Sequence, residues 1–349
     1  VDIEDLIPEE SCVITLTHFG YLKRQPLDAY KTQRRGGRGI SGMTRRDEDF
    51  VSDIYTCSTH DYLMFFTNKG KVYRIKGYEI PEGSRTSRGT NVVNILPLEQ
   101  GEKITCVIKT SDIAAEDKYY VMVTRNGIIK RTEYNAYINV RKSGLIAINL
   151  DEGDELAWVK ITNGDDEIIL ATQNGMSIRF KEEDARSMGR TARGVKAIAL
   201  EGDDKVVGMV VANEGKDVLT VSQSGLGRRT DVSEYRLQNR GGKGLRNYYC
   251  DKNGPVAGFD NVDDQNDIIL ITDSGIIIRI PAEQISKQSR YAGGVKVMRV
   301  DEQTNIIGIS AVEKEEDTQE SEEGSEELET QQHGEQIDAL LQRAQEPQE

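Results

Sequence analysis

Six times along the chain a short apolar run leads into Thr or Ser, two further residues and Gly, and a second β-prone run follows. The instances are Thr17-His18-Phe19-Gly20, Thr67-Asn68-Lys69-Gly70, Thr124-Arg125-Asn126-Gly127, Thr172-Gln173-Asn174-Gly175, Ser222-Gln223-Ser224-Gly225 and Thr272-Asp273-Ser274-Gly275. Their glycines are spaced by 50, 57, 48, 50 and 50 residues. Runs such as Leu63-Met64-Phe65-Phe66 before the turn and Ile276-Ile277-Ile278 after it are short, with β-branched and aromatic residues prominent. Each pair reads as a β-hairpin, with Gly supplying the positive φ that the turn requires.

Two more offsets repeat. Four residues after each turn Gly stands an arginine: Arg24, Arg74, Arg131, Arg179, Arg229 and Arg279. Nineteen residues after it stands a second glycine in five repeats (Gly39, Gly89, Gly194, Gly244, Gly294), and seventeen after it in the third (Gly144). An apolar residue soon follows (Ile40, Val92, Leu145, Val195, Leu245, Val295) and opens a third strand; stretches such as Lys205-Val206-Val207-Gly208-Met209-Val210 supply a fourth. Four strands in about fifty residues is the size of a propeller blade. Helix-period patterning is absent over most of the chain. The expected fold is all-β: six four-stranded blades closed into one disc over residues 11–312.

The net charge of −14 misleads until it is divided. Residues 313–349 hold 14 acidic side chains against Lys314 and Arg343, and residues 1–312 are left at −2. That tail has no aromatic residue and reads as an acidic disordered segment, with at most a short helix over Ile337–Gln345. Residues 1–10 read as a linker, and a chain opening on Val1 reads as part of something longer. No run of 18 apolar residues exists, so no helical membrane span is expected. No secretory leader is expected either, since no basic-then-apolar stretch opens the sequence. Four dispersed cysteines without a C-x-x-C pair, and only His18, His60 and His333, argue against a zinc site and for a cytoplasmic chain.

Placement of charge matters more than its sum. One arginine on an outward strand position is ordinarily a solubilising residue, but six at one offset occupy equivalent positions around a disc. Lys23, Lys130 and Arg228 lie beside them. The second glycine sits in a basic loop in each repeat. These loops read Gln33-Arg34-Arg35-Gly36-Gly37-Arg38-Gly39, Arg85-Thr86-Ser87-Arg88-Gly89, Arg141-Lys142-Ser143-Gly144, Arg190-Thr191-Ala192-Arg193-Gly194, Asn239-Arg240-Gly241-Gly242-Lys243-Gly244 and Arg290-Tyr291-Ala292-Gly293-Gly294. Glycine lets backbone N–H groups approach a phosphate, and Arg adds a bidentate fork. A periodic ring of cations on a rim can meet the phosphates of a bent duplex at regular intervals.

Gln33–Gly39 resembles the gyrase A box, usually written with Lys where Arg38 stands. Asp2–Glu10, Gly20-Tyr21-Leu22-Lys23-Arg24 and Ile80-Pro81-Glu82 fit the same pattern, and residues 1–312 resemble the C-terminal domain family of the DNA gyrase A protein. The resemblance implies a six-bladed β-pinwheel whose blades exchange strands, and a disc that wraps double-stranded DNA in support of ATP-dependent negative supercoiling. Gln33, Arg34, Arg35, Gly36, Gly37, Arg38 and Gly39 would be the chief contacts, in a first blade whose box also helps close the ring onto the last. The other rim cations would extend the path. The resemblance also implies partnership with the rest of the gyrase A protein and with the gyrase B protein in an A2B2 enzyme. ATP and magnesium would belong to the complete enzyme, with no cofactor, metal or catalytic residue in this chain.

Other chemistries find little footing. Gly37-Arg38-Gly39-Ile40-Ser41-Gly42 satisfies G-x-G-x-x-G, but an Arg-rich loop precedes it and no βαβ setting follows. G-x-x-x-x-G-K-[ST], G-x-S-x-G and H-E-x-x-H are all absent. The nearest rival is the C-terminal domain of the topoisomerase IV A protein, part of a relaxing and decatenating enzyme, whose box is typically degraded and whose blades are often fewer. A protein-binding propeller would carry Trp-Asp or Gly-His signatures, and the lone Trp158 is followed by Val159. The acidic tail would act as a solubilising extension or compete with DNA for the rim.

Overall fold

The computed structural model describes residues 2–34, 42–43, 49, 51–111, 113–212 and 216–314. It contains six four-stranded antiparallel sheets, one per repeat. In the first, the order is Val51–Ser58, Ser11–Thr17, Tyr21–Pro26, Thr90–Asn91. The hairpin lies in the middle, the repeat's own last strand on one side, and a two-residue strand from the next repeat on the other. The same exchange recurs: Leu145–Ile146, Val195–Lys196, Leu245–Arg246 and Val295–Lys296 each complete the sheet of the preceding hairpin. Gly42–Met43 from the first repeat pairs with Ile276 and Ile277 of the last, and so closes the ring.

The expected third strand therefore exists but belongs to the neighbour's blade. In the second repeat it is Thr90–Asn91, just before the expected Val92; in the first it is Gly42–Met43, while Ile40 lies outside the described residues. At the opposite edge the long last strands touch between neighbours. Ile104–Thr110 meets Leu156–Thr162, Val206–Val211 meets Val256–Val262, and the latter meets Ile306–Glu313. Sheets that radiate from an axis converge at their inner edges, so these strands line the axis and the exchanged strands form the rim. Two short helices, Leu27–Arg34 and Cys250–Asn253, interrupt the all-β pattern.

Apolar residues at consecutive positions follow from burial on both faces of a blade. Leu63 and Phe65 pack with Ile14 and Leu16 of the first blade, while Met64 and Phe66 pack with Tyr120 and Met122 of the third. Val121 and Val123 then meet Ile168 and Leu170, and Leu219 and Val221 meet Ile268 and Leu270. Backbone bonds stitch the same junctions. The N–H groups of Leu156, Val206, Val256 and Ile306 donate to the carbonyls of turn residues Asn68, Arg125, Gln173 and Gln223.

The two glycine series meet where the exchanged strand crosses the hairpin. Gly175, at φ +89°, accepts hydrogen bonds from the N–H groups of Asn247 and Tyr248, and a Cβ there would overlap the Tyr248 carbonyl oxygen. Gly244, at φ +79°, lies so close to the Ser177 carbonyl that a Cβ would overlap it too. The second glycine is thus a packing requirement of strand exchange, not a feature of phosphate approach alone.

The periodic arginines are inter-repeat clamps. Arg24, Arg74, Arg131, Arg179 and Arg229 donate to the carbonyls of Ile80, Ile138, Ala185, Tyr235 and Ala282, which lie in or just after one-turn 3-10 helices of the following repeat. A cation at a helix C-terminus satisfies carbonyls that have no partner within the helix, as at Ile80, Ile138, Ala185 and Tyr235, while the Ala282 carbonyl also accepts from the Ile285 N–H. In five repeats a group twelve residues before the arginine faces the guanidinium from the hairpin's other strand. Tyr62 and Tyr119 supply ring faces at 4.0 and 4.2 Å. Glu167, Asp217 and Asp267 supply carboxylates to Arg179, Arg229 and Arg279 at 2.5, 2.8 and 2.8 Å. Arg131 and Arg229 are buried and the other four half-buried. The expected ring of rim cations is corrected for Arg131 and Arg229, which are buried, and the offset has a structural reason of its own because the inter-repeat joint repeats.

Two stability outcomes are expected in thermal or urea unfolding. Arg229→Met takes the guanidinium from the nearly buried Asp217 carboxylate, leaves it only the exposed Lys287 ammonium at 3.1 Å, and should cost about 2–3 kcal/mol, whereas Lys243→Ala removes an exposed ion pair and should cost within about 0.5 kcal/mol. Gly244→Ala should cost about 3 kcal/mol from the left-handed backbone and the clash with Ser177.

Candidate nucleic-acid interface

The basic loops of the second to sixth repeats run along the rim just ahead of the exchanged strands. Gln33 and Arg34 close the helix Leu27–Arg34, whereas Arg35, Gly36, Gly37, Arg38 and Gly39 lie outside the described residues. The box is anchored at one end by that helix, which packs on the first blade, and at the other by Gly42–Met43 on the last blade.

Lys23, Lys130 and Arg228 support the loops from beneath. The Lys23 ammonium donates to the carbonyls of Ser84, Arg85 and Ser87 at 3.0, 3.0 and 3.2 Å. Buried Lys130 donates to the Tyr137 hydroxyl and to the carbonyls of Ala147 and Arg190, and burial together with the nearby Arg190 charge lowers its pKa to about 7. Arg228, fully buried, donates to the carbonyls of Ala292 and Arg290 at 2.9 Å each, to the Asn247 carbonyl, and to Thr230 Oγ1. Three expected rim contacts therefore face inward, because loop carbonyls that turn away from water need donors.

The remaining loop cations divide by partner. Arg193 forks onto Asp151 at 2.5 and 2.6 Å, and Lys142 and Lys243 pair with Glu79 and Glu201 at 3.4 and 3.0 Å. Arg88 stacks on Tyr21, its guanidinium carbon 4.0 Å from the ring centroid. Arg85 is half-buried, and Arg141 and Arg190 are exposed. Arg240 and Arg290 instead donate to the carbonyls of Lys196 and Arg246, both at 2.5 Å. Neighbouring rim loops thus join laterally, cation beside cation.

Lys196, Arg246 and Lys296 were not among the expected site residues. Each is the second residue of an exchanged strand and is exposed. Their signal was available as a cation two positions after the second glycine in three consecutive repeats. No carboxylate among the described residues forms an ion pair with these three, nor with Arg240 or Arg290. The Glu234 carboxylate accepts from the Arg290 backbone N–H at 3.1 Å, but the guanidinium groups themselves are not ion-paired, and such cations held side by side make a site for a polyanion, which gains from displacing their counterions. Among the described residues no group of three or more His, Cys, Asp or Glu is placed to hold a metal, and no helix is long and apolar enough to cross a membrane.

The family model described as DNA gyrase C-terminal domain, beta-propeller, matches six segments: residues 13–58, 61–111, 118–163, 166–213, 216–262 and 266–313. The DNA gyrase A protein of Clostridium acetobutylicum is 55% identical over 196 residues, covering 56% of this chain and 24% of that protein. Its counterpart from Halalkalibacterium halodurans is 54% identical over 193 residues, with 55% and 23% covered. The chain spans about a quarter of these relatives' length or less. Among solved structures, the C-terminal domain of DNA topoisomerase IV aligns with TM-score 0.76 and 27% identity, covering 88% of this chain and 94% of that one. The DNA gyrase A C-terminal domain aligns with TM-score 0.67 and 29% identity, covering 86% and 99%. With six matched segments, one per blade, the chain belongs to the DNA gyrase C-terminal domain, beta-propeller, family.

Proposed function

We propose that this disc binds double-stranded DNA along its rim and wraps it chirally, as the wrapping domain of a gyrase A-type protein. The observation that carries the reading is the belt of rim cations without carboxylate ion pairs: exposed Lys196, Arg246 and Lys296, with half-buried Arg240 and Arg290 bonded beside the first two. Bending ~40 bp through ~180° costs roughly 11 kcal/mol for a rod of ~150 bp persistence length. Many phosphate contacts must offset that cost, so binding is weak in sequence preference and steep in salt. In the complete enzyme the wrapped segment would be the one passed through the cut duplex, supporting ATP-dependent negative supercoiling. The cleaving tyrosine, ATP and magnesium belong to the rest of an A2B2 assembly in the cytoplasm, and this chain by itself performs no catalysis.

The fold similarity to topoisomerase IV favours a second reading, a disc that binds DNA without chiral wrapping. The intact Gln33–Gly39 box and the 55% identity to a gyrase A protein weigh toward the first. Ligating nicked circular plasmid around increasing amounts of this chain, then stripping the protein, separates the two. Chiral wrapping predicts a positive linking-number shift that rises with protein and vanishes at high salt; Arg34→Ala, Arg35→Ala and Arg38→Ala together should reduce the shift more than the affinity. Tight binding with no shift supports the topoisomerase IV-like reading.

A further inference from the structure

The rim between the fourth and fifth blades carries two exposed aromatic rings. Tyr249 is 41% exposed and Tyr291 63%; their centroids lie 6.4 Å apart with the planes inclined at 33°. The Arg246 guanidinium lies 5.9 Å from the first ring and that of Arg290 5.3 Å from the second. Apart from Phe19, no other Phe, Tyr or Trp of the described residues is comparably exposed.

The rings are held in place. The Tyr248 hydroxyl, on the buried neighbour of Tyr249, donates to the Gly293 carbonyl at 2.6 Å, and Asn253 Nδ2 donates to the Tyr249 carbonyl at 3.1 Å. Arg228 grips the carbonyls on both sides of Tyr291, those of Arg290 and Ala292. The loop sequence changes in step. Where the loops of the second, fourth and fifth repeats place Arg88, Arg193 and Lys243 just before the second glycine, this one has Gly293. Where they have Thr86, Thr191 and Gly241, it has Tyr291. One loop has exchanged a cation for a ring while keeping guanidinium groups on either flank.

We propose that Tyr249 and Tyr291 form a non-ionic contact to duplex DNA, packing on the deoxyribose faces of the minor groove while Arg246 and Arg290 take the flanking phosphates. This rests on the DNA-binding reading above and adds to it a fixed point on the path. A rigid aromatic pair gains most where the groove can open, so the contact favours a flexible pyrimidine–purine step at that position.

Affinity of this chain for a 40-bp duplex, measured across a range of salt concentrations, tests it. Phosphate contacts set the slope of log affinity against log salt, about −0.9 per contact, whereas a non-ionic contact sets only the height of the line. Joint Tyr249→Ala and Tyr291→Ala substitution should lower the line about tenfold at every salt with its slope unchanged. Arg246→Ala should make the slope shallower by about 0.9. The joint Tyr→Phe variant keeps the rings and should stay on the wild-type line; a tenfold loss there would overturn ring packing. The proposal is also overturned if the double Ala variant, with an unchanged melting temperature, falls on the wild-type line or alters only the slope. Wild-type protein that fails to bind the duplex at all contradicts the parent reading instead.

Discussion

Every blade in this protein is finished by a neighbour. The backbone pairing between a hairpin and the two-residue strand arriving from the next repeat is the constraint on which the rest depends. It places two backbones closer than any Cβ permits, which explains a glycine at the turn and another at the incoming strand. It carries the basic loops of the second to sixth repeats to the rim ahead of their exchanged strands. It also leaves the last blade without a following repeat, so the first repeat must return Gly42–Met43 to complete it. In the chain the box sequence falls between the first blade's helix and that return strand.

Two populations of cations result, and they do different work. Arg24, Arg74, Arg131, Arg179 and Arg229 secure the joints through carbonyls of the next repeat, and the last four also through a Tyr or carboxylate across the hairpin. Lys23, Lys130 and Arg228 hold loop carbonyls. These groups are largely desolvated and already bonded, so their charge stiffens the disc. Lys196, Arg246 and Lys296 stand exposed at the ends of exchanged strands, and half-buried Arg240 and Arg290, bonded to the carbonyls of Lys196 and Arg246, bring further like charge beside the first two without an ion-paired carboxylate. A ligand that gains from such crowding carries closely spaced negative charge, as a duplex does.

The six-bladed architecture was legible from the turn glycines, because a hairpin turn is a local event with a local signature. Strand exchange was legible only through resemblance, since periodicity tells that a third strand exists and not which blade receives it. The periodic arginines show the limit most clearly. Their offset was unmistakable, yet the carbonyls they cap lie more than fifty residues downstream, so nothing near Arg131 or Arg229 reveals that it points inward. Lys196, Arg246 and Lys296 failed to stand out for the opposite reason: a single cation at the end of a two-residue strand has no local peculiarity until the strand is seen at the rim. The helix Leu27–Arg34 was missed because eight residues are too few to display a helical period.

Where the polyanion lies decides the central claim, and lysine reactivity can locate it. Reductive methylation of this chain with and without a 40-bp duplex should show Lys142, Lys196, Lys243 and Lys296 protected by DNA. Lys109, on an axis-lining strand, and Lys118, beside a hairpin strand, should react equally in both samples. Protection of Lys109 and Lys118 as strong as that of the rim lysines, or no protection at the rim while DNA is bound, would contradict a path along the exchanged strands.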